Sequence, residues 1–196
     1  MKILPLICLV LFSCTQLSAV KIPKEALKLN NRAARLVHTD PSKARKLYFE
    51  ALEITPDFPA AYIGLMTIEI NERNHVKAIE YSHIIERLQP TNESIVLSLG
   101  MLYDAIEKSD LAKRYFNKAK EMNKNELKNS KQKLYQLSNI ALINYILGEK
   151  KKYNLMINDI KKQKDGENYS WPIEVAIQKY EASKSTRICK LFNYCD

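Results

Sequence analysis

Ala44, Ala78 and Ala112 stand 34 residues apart, and Pro56 and Pro90 keep the same interval. A fixed period of this length marks one supersecondary unit used repeatedly, each unit too small to bury its apolar face alone. Tyr48 and Phe116 follow their alanines by four residues, and Ala51 and Ala119 follow three later. Around each alanine the apolar spacing is three or four, which is helical. The units read as paired helices: 23–38 with 41–54, 59–72 with 75–88, and 93–107 with 109–122. Asp40-Pro41 supplies an N-cap and a first-turn proline for the second helix. Composition agrees. Four glycines and seven prolines in 196 residues are too few for many tight strand turns, and 46% hydrophobic against 27% charged residues allow a core.

Each repeated residue has a mechanical role. The alanine belongs where two helices of a pair cross, because a larger side chain would push them apart. The aromatic one turn later fills space between neighbouring pairs, and the proline stops the second helix. This set resembles the tetratricopeptide repeat family, whose helix-turn-helix units stack into a right-handed superhelix. The third unit carries the resemblance best, through Leu99, Gly100, Tyr103, Ala112, Phe116 and Ala119. The first carries it in its second half, at Ala44, Tyr48, Ala51 and Pro56. The second matches at Tyr62, Leu65, Ala78 and Pro90, with Ser82 and Ile85 replacing the usual aromatic and alanine. A degenerate fourth unit is phased on Gly148, seven residues later than the strict period, the excess lying in Asn123–Lys133. The expected fold is an all-α, right-handed solenoid: four helix pairs over 23–164, then a capping helix and tail over 165–196. Trp171-Pro172 opens that last helix.

The resemblance implies a concave groove lined by the first helix of each pair. Carried over by phase, its positions include Leu29, Leu36 and Val37, then Ile63, Thr67 and Ile70. Leu97 and Met101 continue it, followed by Tyr135, Leu142 and Tyr145. The family's basic clamp for carboxyl-terminal peptides has no counterpart, since those places hold Leu29, Ala33, Gly64, Ser94 and Ser98. Two occupants are open: the protein's own carboxyl-terminal tail, or a hydrophobic helix or extended peptide of a protein partner.

Residues 1–19 read as an export signal, with Lys2 followed by an apolar run from Ile3 to Phe12. Ten residues are about half of what a membrane-spanning helix requires. Two exits are open: a cut after Ala19, or lipidation of Cys14 in Leu11-Phe12-Ser13-Cys14, which resembles a bacterial lipobox. The expected address is the periplasm, or a lipid anchor on an envelope membrane. Cys189 and Cys195 then remain as a natural disulfide of an oxidising compartment.

The net charge of +9 is uneven: residues 1–107 hold 12 basic and 12 acidic residues, whereas 108–164 hold 15 and 5. With 24 Lys against 7 Arg, this reads first as a solvated lysine face and disfavours nucleic acid. A second expectation is an anionic surface, lipid headgroups or an acidic polymer, gripped by 108–164. No catalytic constellation stands out. The glycines are scattered, no Gly-x-Ser-x-Gly occurs, and His38, His75 and His83 read as surface residues without a ligand set. The expected function is therefore a non-enzymatic scaffold, without metal or cofactor, of the kind used in assembling an envelope complex.

Overall fold

The computed structural model describes residues 21–127, 133–163, 168 and 173–182. Eight helices have defined bounds: α1 (Lys24–Leu36), α2 (Pro41–Ile54), α3 (Pro59–Asn71), α4 (His75–Leu88), α5 (Glu93–Ala105), α6 (Ser109–Leu127), α7 (Lys133–Ile146) and α8 (Lys150–Lys161). Residues 173–182 are also helical, and no strand occurs among the described residues.

Local chemistry fixes these bounds. The Asp40 carboxylate accepts the Lys43 N–H at 2.9 Å, and the Asn92 side chain accepts the Ile95 N–H at 3.3 Å. Pro41 and Pro59 occupy first helical positions, where a missing N–H costs nothing. Pro56 and Pro90 follow the ends of α2 and α4 by two residues.

The turns inside the last three pairs close identically. Asn74, Lys108 and Glu149 donate their N–H to the carbonyls of Glu69, Tyr103 and Asn144 at 2.8, 2.9 and 2.8 Å. The residue before each donor is left-handed: Arg73 (φ 59°), Glu107 (φ 62°) and Gly148 (φ 76°). These residues are 34 and then 41 positions apart, so the seven extra residues precede the fourth pair. Part of the insertion extends α6, which runs five residues beyond the expected end at 122. The added turn is helical because it has partners. Asn123 is fully buried, donating to the Ala119 carbonyl at 2.9 Å and accepting from Asn139 of α7 at 3.0 Å.

Each helix packs on the next along the chain, and α1 also touches α3. Two apolar clusters result. One joins α1 to α5 around Leu65, Ile68, Ile85 and Leu99; the other joins α5 to α8 and Ile173 around Ile143 and Ile160. Half-buried Tyr103 and Tyr115 touch both. Ala44, Ala51, Ala78, Ala112 and Ala119 are all buried, as crossing positions must be. The Tyr48 ring covers Gly64 of the following pair, as expected of a residue between pairs. Phe116 differs, since its ring covers Gly100 of its own pair. Ser82 replaces the corresponding aromatic in α4 and is fully buried, donating its hydroxyl to the Ala78 carbonyl at 2.7 Å.

Candidate functional site

The positions expected to line a groove form registered rows on α3, α5 and α7. Thr67, Met101 and Leu142 are one row; Ala60, Ser94 and Tyr135 are another, each stepping by 34 and then 41. Ile70 is exposed, while Ile63, Thr67, Met101, Tyr135 and Tyr145 are half-buried. Leu97 and Leu142 are buried and support the surface from beneath. The hydroxyls of Ser94 and Tyr135 are hydrogen-bonded at 3.0 Å, tying α5 to α7 along this face. The Thr67 and Ser98 hydroxyls turn back onto the carbonyls of Ile63 and Ser94 at 2.8 and 2.9 Å, so their polar atoms are already satisfied. Tyr145 meets Tyr153 of α8 edge to face at 5.2 Å. What remains is a shallow apolar and aromatic strip.

The first helix does not extend it. Leu29 and Val37 are buried and Leu36 is half-buried, all packed into the first cluster. Among the described residues α1 packs on α2 and α3, and its apolar face is turned onto them. Its open face is instead cationic: Lys24, Lys28, Arg32 and Arg35 are all exposed.

Two polar clusters escaped the sequence reading. Glu69 on α3 is 1% exposed and receives Arg45 Nε and Nη2 of α2 at 3.3 and 3.2 Å. The Asn74 amide donates to its other oxygen at 2.9 Å, and Arg45 also reaches Glu72 at 2.6 Å. A buried carboxylate so surrounded fixes the junction of the first two pairs. The available signal was positional, because Glu69 precedes Tyr103 by one period and takes an aromatic's place. The second cluster joins α4, α5 and α6. His83 is hydrogen-bonded to the Tyr103 hydroxyl at 2.8 Å and to Glu86 at 3.2 Å, and Tyr103 stacks on Tyr115 with centroids 5.4 Å apart. His83 is thus half-buried and bonded, where a surface residue was expected. Burial raises the Glu86 carboxyl, but hydrogen bonds from Lys118 and His83 outweigh it and leave the group below its ordinary range. Burial, then the charge of Glu86, pushes the Tyr115 phenol up. Both clusters tie neighbouring helices together.

The lysine-rich segment is only partly a solvated face. Lys120 is buried, with its ammonium 2.7 Å from Glu149, and Lys118, Lys124, Lys152, Lys161 and Lys162 each lie within ion-pair distance of a carboxylate. Among the described residues no three of His, Cys, Asp and Glu gather at metal-binding distance, and no helix is long and apolar enough to cross a membrane. Cys14, Cys189 and Cys195 lie outside the described residues.

No family model matches the chain, and no curated protein is significantly similar to it. The tetratricopeptide likeness stands on the repeat residues themselves.

Proposed function

We propose that this chain is a non-enzymatic scaffold, a right-handed tetratricopeptide-like solenoid that holds a protein partner along the strip on α3, α5 and α7. The observation that carries the reading is the shared phase of that strip. Thr67, Met101 and Leu142 recur at one helical position across three pairs, Ala60, Ser94 and Tyr135 at a second, and Ile70, Asp104 and Tyr145 at a third, Asp104 being the one charged residue among them. Such a row suits the apolar face of a partner helix or peptide better than a small polar substrate. The proposed address is the bacterial envelope, through lipid on Cys14 or release after Ala19, and the Cys189–Cys195 disulfide belongs to the same proposal. Contact by residues 108–164 with an anionic surface has less support, because many of those lysines already face carboxylates.

A photo-crosslinking residue at Met101, introduced into the chain in an exporting bacterial host, tests the reading. The expected result is one discrete adduct that persists at high salt and is missing when the probe replaces exposed Lys113. Equal labelling at both positions, or none at Met101, would remove the strip as a docking site. In the same host, Cys14→Ser is expected to abolish incorporation of labelled palmitate. A wild-type chain that takes up no label and begins at Val20 overturns the lipid anchor and leaves the scaffold untouched.

A further inference from the structure

The outward face of α1 is cationic and is uncovered among the described residues. Lys24, Lys28, Arg32 and Arg35 recur at helical spacing, all are exposed, and none makes an ion pair among the described residues. Glu25 at the margin is the helix's single acidic residue, and Leu27 is 46% exposed on the same outward side. Together with Asn31 these side chains line one shallow depression. One period later the equivalent positions are covered. Phe58, Ala61, Leu65, Met66 and Glu69 are buried where the second pair meets the first, with Arg45 reaching Glu69 and Tyr48 covering Gly64. Among the described residues no element precedes the first pair, and nothing covers this face.

An open end of a stack must be polar to stay soluble. Solubility does not ask for four cations, no balancing acid in the stripe and an exposed leucine; mixed charge serves it as well. We infer that the outward face of α1 lies against an anionic lipid bilayer, with Lys24, Lys28, Arg32 and Arg35 at the headgroups and Leu27 pressed into the interface. A cationic helical face bearing an apolar residue is suited to that position, and a basic patch turns a marginal anchor into a stable one. Where the proposed lipid on Cys14 is the anchor, the sequence places it close by. Nine residues separate Cys14 from Lys24, a reach of about 35 Å at full extension. The inference is independent of the strip on α3, α5 and α7, which lies on other helices.

The test is sedimentation of the full chain with vesicles of phosphatidylcholine alone or mixed equally with phosphatidylglycerol, at low and high salt. The expected result is a preference for the anionic vesicles that salt removes. K24Q/K28Q/R32Q/R35Q should lower that preference about 600-fold while leaving association with neutral vesicles unchanged. The single variants K28Q and R35Q should each lower it about 5-fold, and K113Q/R114Q/K150Q/K151Q should leave it in place. Leu27→Ser should weaken vesicle association several-fold yet leave binding to soluble polyglutamate unaltered. The inference is overturned by a wild-type chain indifferent to phosphatidylglycerol, or by a preference that survives the fourfold α1 variant. It is equally overturned if the 113–151 variant loses the preference as strongly, or if Leu27→Ser leaves vesicle association unchanged, which would make the face a general polyanion site.

Discussion

Alanine is costly at both Gly148 and Gly64, for different reasons. Gly148 is left-handed at φ 76°, and a Cβ there would meet nothing within 4 Å. Its replacement tests backbone conformation alone, and Gly148→Ala should cost about 1 kcal/mol, read as a lower denaturant midpoint. Arg73 and Glu107 hold the same conformation with side chains attached, at φ 59° and 62°. Arg73→Gly and Glu107→Gly should therefore stabilise slightly, by about 0.5 kcal/mol, because relieved strain exceeds the added freedom of the unfolded chain. At Gly64 the backbone is ordinary helix, but a Cβ would lie 2.0 Å from Cζ of Tyr48. Gly64→Ala should cost about 1–3 kcal/mol through overpacking, and pairing it with Tyr48→Leu should restore part of the loss. An additive double mutant would show that the ring is not what fills the space.

At the scale of the helix, Ala78 and Ala112 hold the crossings of their pairs open to nothing larger. Ala78→Leu and Ala112→Leu should each lower stability by about 1–3 kcal/mol, and an unchanged thermal midpoint in both would displace the repeat phase. The extended α6 depends on a different contact. Hydrogen bonds from Lys120 and Lys152, opposed by burial, hold the Glu149 carboxyl below its ordinary range. A carboxyl whose folded pKa is lowered contributes stability above its unfolded pKa. That contribution falls away as pH drops from the ordinary carboxylate range through the folded value. The thermal midpoint should thus decline on acidification across that window, and Glu149→Gln should flatten part of the decline. An identical acid limb in the variant would show that the bridge contributes nothing to folding.

Across the whole molecule, two apolar clusters meet at α5 and α6. A stack in which each unit touches its neighbours divides into partly independent opening units. Leu65→Ala removes a fully buried side chain from the first cluster, and Ile143→Ala removes one from the second. Each should cost about 2–5 kcal/mol in its own cluster. In native-state hydrogen exchange, Leu65→Ala should expose α1–α4 while α7 and α8 stay protected, and Ile143→Ala should do the reverse. Uniform loss in either variant would mean that the stack opens as one cooperative body.

What the amino-acid order determined was local and periodic: the helix pairs, the cap at Asp40 and the crossing alanines. These features arise from neighbours three or four residues apart, or from a pattern repeated every 34, so spacing alone exposes them. The end of α6, the burial of Glu69 and Lys120, and the bonded state of His83 were decided elsewhere. Each depends on a side chain from another helix, such as Asn139 for α6, Arg45 for Glu69, Glu149 for Lys120 and Tyr103 for His83. The candidate strip divides the same way. Its phase on α3, α5 and α7 follows from the period. Its closure over α1 does not, because the same helical face is half-open in a middle pair and buried in the first. Leu29 and Ile63 hold equivalent places in the repeat. Leu29 is buried in the first cluster and Ile63 only half-buried against it, a difference set by the side chains of neighbouring helices and not by the repeat position.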